Sequence, residues 1–391
     1  MKKYFITCSL SLLLSLYLFE GYLKFFSSDF DLNRKVKIYE KNSSNKYDKR
    51  TKVQIYKDLK KIFDDVSVTV PPKTYVMHPE KDIFPLSGLA NSKTIHCNEN
   101  GYYSIFKSDR YGFNNPDEEW NNDEIEYILV GDSLTQGECV NRPNDISSVL
   151  RILSNKSVLN LGYSGNGPLI QYATLKEYIN KNIKVKNILW FYYEGNDMED
   201  LKTSSESIIL NQYILDKDFK QNLKTKQKKI DQLSKMHIDK YTKYIEGRLK
   251  KKNKYTILRF IRLDKTKKFI KNLIDEPQDD SLNNNNYKKL KKILKLSKDL
   301  AFDNNSMFHV IYLPHISNFI NKNLKSEKFH KEKIENILAE LDINFIDVTK
   351  IFKKDKNPLK YYPFELPGHF NVEGYKAISL EIYKQTSSYE Q

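Results

Sequence analysis

The sequence predicts an α/β protein with a mostly parallel five-stranded sheet and helices on both faces. Three observations lead there. Five short, mostly apolar runs, at residues 125–130, 157–161, 187–193, 307–313 and 344–348, have the length and continuity of strands buried on both sides. Amphipathic segments separate them, the alternation that builds a parallel sheet by helical crossovers. Small and polar residues collect just beyond the runs, at the carboxyl ends where such sheets carry their chemistry.

Taken in order, the chain begins with Lys2-Lys3 and an apolar stretch from Tyr4 to Phe19, interrupted only by Cys, Thr and Ser. Bulky residues occupy the places where a small-x-small cleavage site would lie, so residues 1–26 read as an uncleaved signal anchor rather than a removed leader. The stretch is short for a full span, which calls for snorkelling by Lys2, Lys3 and Lys24 or for local thinning. Residues 27–75 are polar and read as a stalk leading away from the membrane. Residues 76–120, rich in Tyr, Phe, Gly and Asn, read as strands and loops laid over the main domain, which occupies 121–391. Because long domains translocate largely regardless of flanking charge, the main domain is expected outside the cytoplasm.

Within 121–391, Asp145 can cap a helix carrying Ile146, Val149, Leu150 and Leu153, and Pro168 suits the first turn of the next helix. Leu290, Ile293 and Leu294 line the helix before the fourth strand; Ile334, Ile337 and Leu338 line another; Tyr375, Ile378 and Ile382 line the last. Residues 199–285 are too long for one crossover. They are Lys-rich and helical in pattern and read as an inserted subdomain, either a cap over the site or a solvated elaboration.

The formal charge of +15 raises the question of nucleic acid. The lysines are spread through most of the chain and no nucleic-acid module accompanies them, so no nucleic-acid partner is expected; acidic polymers and anionic lipid headgroups stay open. No Cys or His spacing suggests a metal site. Cys97 and Cys139 lie in the soluble part, and in an oxidising compartment they could pair and tie the N-terminal region to the loop after the first strand.

That loop begins Gly131-Asp132-Ser133, placing a serine where a buried strand breaks. Asn160-Leu-Gly162-Tyr-Ser164-Gly165-Asn-Gly167 follows the second strand, Glu194-Gly195-Asn196-Asp197 the third, and Gly368-His369-Phe-Asn371 precedes the last helix. Acyl transfer by serine needs a nucleophile, a base and donors for an oxyanion. Ser133 and His369 fit the first two roles, with His315 after the fourth strand as a competing base. The backbone N–H groups of Ser133 and Gly165 and the Asn196 amide could form the oxyanion hole. Each motif alone is an ordinary turn or helix entry; together, in this order on one sheet, they form a constellation. The Gly-rich turn lacks the Lys-Ser/Thr ending of a P-loop, which disfavours a phosphate-binding module.

In these four blocks the chain resembles the SGNH/GDSL hydrolase superfamily, over about residues 121–200 and 300–391. The resemblance implies a flavodoxin-like three-layer α/β/α fold, no cofactor and no metal, with Ser133 as nucleophile, Gly165 and Asn196 as oxyanion donors and His369 as base. With its anchor, the chain is similar to bacterial envelope members close to polysaccharide O-acetylation proteins. Two departures stand out. Gly195-Asn196-Asp197 lacks the usual spacer, and the Asp usually found two or three residues before the His is replaced by Leu366 and Pro367. Glu365 is the nearest acid; it completes a triad, or the chain works as a Ser–His dyad. The expected activity is a serine esterase on O-acyl groups of envelope glycans or lipids. The alternatives are an O-acyltransferase on a surface polysaccharide, acting with polysaccharide-modification machinery, and a non-catalytic glycan-binding or assembly protein.

Overall fold

The structure, a computed structural model, describes residues 2–25, 28–77, 80, 82–179, 183–254, 256–274, 284–320 and 325–387. The chain divides into two compact units. Residues 50–238 and 280–391 form one; residues 1–49 and 239–279 form the other.

The larger unit holds two sheets. In chain order the strands are β1 (Val66–Val68), β2 (Lys93–Ile95), β3 (Ile105–Lys107), β4 (Glu124–Val130), β5 (Val158–Asn160), β6 (Lys184–Tyr193), β7 (Met307–Leu313) and β8 (Asn344–Asp347). The last five form one sheet in the order β5-β4-β6-β7-β8, with every neighbouring pair parallel. They coincide with the five expected runs, β6 beginning three residues earlier than its sequence run. Alternate residues of the central strands feed two apolar layers. Ile128, Val130, Ile188 and Trp190 pack on one face with helices Pro168–Tyr178 and Asn284–Asp303; Leu129, Leu189, Phe191 and Ile311 pack on the other with helices Ile146–Ser154 and Val372–Ser387. This is the three-layer arrangement expected from the alternation of elements. Local signals hold: the Asp145 carboxylate accepts from Ser148 N at 3.0 Å, and Pro168 opens its helix.

β1, β2 and β3 form a smaller sheet, β1 parallel and β2 antiparallel to their next neighbours. Part of the segment read as a stalk, from Arg50 onward, therefore belongs to the globular unit. A capping box at Thr51 and Gln54 starts its helix Lys52–Lys60.

In the smaller unit an apolar helix, Lys2–Phe25, carries a 20-residue stretch, Tyr4–Leu23, long and apolar enough to cross a membrane. Helices Thr256–Ile261 and Asp264–Ile274 from the insertion pack against it. The insertion thus divides: residues up to Ile238 group with the sheets, and residues 239–279 group with the apolar helix.

Candidate active site

Ser133 lies three residues past the end of β4, at the start of a short helix, Ser133–Gln136. Asp132 caps that helix, its Oδ1 accepting from Leu134 N at 3.0 Å, and burial raises its carboxyl to about 6. The loop after β5 is bound to this turn: Asn160 Nδ2 donates to Thr135 O at 2.7 Å, and Ser164 N donates to Gln136 Oε1 at 2.9 Å. Gly165 in that loop has φ +73°, a left-handed conformation that favours glycine. A Cβ there would lie 2.9 Å from Pro71 and 3.2 Å from Lys73 Cε, so the segment between β1 and β2 passes directly over the glycine.

His369 reaches Ser133 from the loop before the last helix, which Asn371 caps by accepting from Gly374 N at 3.0 Å. His369 Nε2 stands 3.0 Å from Ser133 Oγ. His369 Nδ1 stands 3.1 Å from Glu99 Oε1, and the His369 backbone N–H donates to Glu99 Oε2 at 2.6 Å. A carboxylate only accepts, so the neutral ring carries its proton on Nδ1 toward Glu99 and leaves Nε2 to accept from the serine hydroxyl. A Cβ on Gly368 would come within 2.5 Å of Glu99 Oε2, so the bare glycine backbone is what lets the carboxylate approach.

Glu365, the expected acid, does not reach the imidazole. It is exposed and accepts from Asn357 Nδ2 at 2.7 Å. The backbone turns at Phe364 and Glu365, both with φ +56°, and carries the Glu365 side chain to a surface contact. The carboxylate on His369 comes instead from Glu99, 270 residues earlier, in the loop after β2. Cys97 and Cys139 are bonded to each other, with Cα atoms 5.0 Å apart, and Asn100 Nδ2 donates to Cys139 O at 3.0 Å. These links hold the Glu99 loop beside the Ser133 loop. The Cys97, Cys139 and His369 ligand atoms lie within 4.8 Å of one another, but sulfurs bonded together are not the thiolates a metal requires.

A second carboxylate borders the pair. Glu138 Oε2 accepts from Ser164 Oγ at 3.0 Å and lies 3.6 Å from His369 Nε2. Burial works against its charge, but His369, His96 and Lys52 outweigh it and bring its carboxyl down to about 2. Burial likewise opposes a charged His369, yet Glu138 and Glu99 raise the imidazole to about 9.

Asn196 precedes helix Asp197–Ser204. Its Nδ2 donates to Asp200 Oδ2 at 3.0 Å, and Asp200 Oδ1 is 2.6 Å from Lys73 Nζ. An amide has two N–H groups, so this bond leaves one for another acceptor. Lys73 therefore borders both candidate oxyanion positions, lying over the bare Cα of Gly165 and linked to Asn196 through Asp200. His315, the competing base, instead pairs with Ser317 Oγ, and its backbone N–H donates to Glu194. Glu99, Glu138, Lys73 and Asp200 all escaped the sequence reading. The signal available for Glu99 was its place two residues after Cys97, whose partner Cys139 follows Ser133 by six.

No family model and no curated protein matches this chain. Several solved structures resemble it. A member of the lipolytic protein G-D-S-L family from Veillonella parvula is 15% identical, covering 67% of this chain and 99% of that one, with a TM-score of 0.38. A lipase/acylhydrolase from Enterococcus faecalis is 12% identical, covering 68% and 96%, with a TM-score of 0.36. An acetylxylan esterase from Geobacillus stearothermophilus is 10% identical, covering 67% and 94%, with a TM-score of 0.35.

Proposed function

We propose that the chain is a serine esterase of the SGNH/GDSL type, with Ser133 as nucleophile, His369 as base and Glu99 as the acid that orients it. The observation that carries this reading is the hydrogen-bonded relay from Ser133 Oγ to His369 Nε2 and from His369 Nδ1 to Glu99, at 3.0 and 3.1 Å. In the mechanism it supports, His369 takes the hydroxyl proton as Ser133 Oγ attacks an ester carbonyl. The carbonyl oxygen becomes an oxyanion facing the N–H groups of Ser133 and Gly165 and the second amide N–H of Asn196. His369 returns the proton to the departing alkoxide, leaving an acyl-enzyme. Water attacks that ester with His369 again as base, and the proton passes back to Ser133 as the acid leaves. A sugar hydroxyl in place of water would make the same cycle an O-acyl transfer. The apolar N-terminal helix supports an envelope location, and with it O-acyl groups on glycans or lipids as substrates. The test is fluorophosphonate labelling of the full chain, followed by assays on acetyl, butyryl and longer esters with and without a glycan acceptor. Absence of both labelling and turnover would favour the non-catalytic, glycan-binding alternative.

The raised His369 sets a pH dependence. The base works only when neutral, so kcat/KM should climb with pH and level off near pH 9, falling roughly tenfold per unit below that. Glu138→Gln removes an anion that favours the imidazolium, so the limb should move to lower pH. A limb that stays in place would show that Glu138 does not act on His369.

The oxyanion donors yield a second expectation. Asn196→Ala should lower kcat by roughly 10²–10³ with a smaller change in KM. Asp200 holds the Asn196 amide but brings a negative charge toward a developing oxyanion, and Lys73 offsets that charge. Lys73→Met should therefore lower kcat by about tenfold, and Lys73→Arg should restore much of it. In an Asp200→Asn background the same Lys73 change should cost little, because no anion remains to offset. Equal losses in both backgrounds would mean Lys73 acts elsewhere, for instance on substrate binding.

A further inference from the structure

Glu20 lies inside the apolar helix Lys2–Phe25 yet is buried. A charged side chain there is costly unless its oxygens are satisfied. They are: Lys265 N, Thr266 N and Thr266 Oγ1 donate to the Glu20 carboxylate at 3.0, 2.7 and 2.8 Å. These donors belong to the first turn of helix Asp264–Ile274, where an anion also complements the helix dipole. Tyr17 OH donates to Ile261 O at 3.1 Å, and Phe19 meets Phe269 edge to face at 5.3 Å. The two short helices of the insertion, Thr256–Ile261 and Asp264–Ile274, are thus fastened to one level of the apolar helix. At 1.5 Å per residue, Glu20 lies about 24 Å along the helix from Tyr4, at the edge of a hydrocarbon layer about 30 Å thick.

The outward composition of this hairpin suits that level. Leu258, Ile261, Phe269 and Ile270 are exposed apolar residues. From Leu258 to Lys271 the sequence holds six cations, Arg259, Arg262, Lys265, Lys267, Lys268 and Lys271, against the single acid Asp264. Exposed apolar side chains beside a dense basic set are what a helix needs to lie in a headgroup layer. Soluble acidic partners would be served by the charges but not by the exposed Leu, Ile and Phe.

We propose that helices Thr256–Ile261 and Asp264–Ile274 form an interfacial hairpin that seats on anionic phospholipid headgroups at the membrane the N-terminal helix spans. Its apolar side chains enter the upper acyl region while its lysines and arginines meet lipid phosphates. This assigns part of the insertion a role at the bilayer, independent of the chemistry at Ser133.

The test uses the full chain reconstituted into nanodiscs of phosphatidylcholine alone or mixed with phosphatidylglycerol. Amide hydrogen exchange across residues 264–274 should slow several-fold in the anionic discs, and high salt should reverse part of the difference. Lys267→Glu, Lys268→Glu and Lys271→Glu together should abolish it. Ile270→Trp should place an indole that lipids brominated near the headgroup quench and that aqueous iodide does not. Equal exchange in both discs, with iodide quenching intact, would overturn the proposal. So would slowed exchange on adding soluble polyphosphate with no effect of phosphatidylglycerol. Flotation with vesicles reads insertion of the N-terminal helix separately; failure to float would overturn both the span and the hairpin's seat. Ester turnover by the same samples reports on the Ser133 chemistry apart from either.

Discussion

Ser133→Ala is expected to abolish ester turnover and phosphonate labelling while leaving the protein folded. The substitution removes only Oγ, which meets His369 Nε2 at 3.0 Å and Asp132 Oδ2 at 3.4 Å. The cap that holds the local helix is the Asp132 carboxylate, which the change leaves in place. Stability should therefore move little, and the effect should appear in kcat. For a nucleophile and base acting as one unit, loss of either costs on the order of 10⁶ in kcat, and loss of both costs little more. His369→Ala should match Ser133→Ala within about tenfold, and the double variant should fall no lower. Circular dichroism and thermal melting establish that each variant is folded. Substantial turnover by folded Ser133→Ala protein would end the serine mechanism.

Glu99→Gln carries the second large effect. The Glu99 carboxylate holds the Nδ1 proton of His369 and accepts from its backbone N–H. Glutamine keeps the size and one acceptor oxygen but loses the anion that fixes the tautomer and stabilises the imidazolium. Neutralising the orienting acid of such a unit lowers kcat by about 10⁴. Glu365→Gln should change kcat by no more than about twofold, since an exposed side chain bonded to Asn357 makes only a surface contribution. The paired measurement separates the assignments. Near-normal rates in Glu99→Gln would mean that the imidazole is held without this acid. A large loss in Glu365→Gln would return the role to the residue nearest in sequence.

The placement of most of the candidate site's residues was legible because they follow strands. Ser133, Gly165 and Asn196 each come just after a buried apolar run, and His369 just before an amphipathic helix. A parallel sheet delivers the carboxyl ends of its strands to one edge, so order along the chain was enough to group them. The carboxylate that meets His369 was not legible in the same way. Proximity in sequence favoured Glu365, but the Phe364–Glu365 turn sends that side chain outward, and the Cys97–Cys139 bond brings Glu99 in from 270 residues away.

By itself, the sequence determined the strand and helix pattern, the parallel sheet, the serine turn and the apolar N-terminal helix. Each of these depends on periodicity, local turn chemistry or composition, which neighbouring residues express together. Only the tertiary structure decided which carboxylate meets His369, that Glu138 borders the relay, that Lys73 and Asp200 join the two candidate oxyanion positions, and that part of the insertion fastens to Glu20. Those are contacts between distant segments, and no local pattern of residues encodes them. They follow from how loops of the small sheet pass over the large one, and how a buried carboxylate must find its donors wherever the chain can supply them.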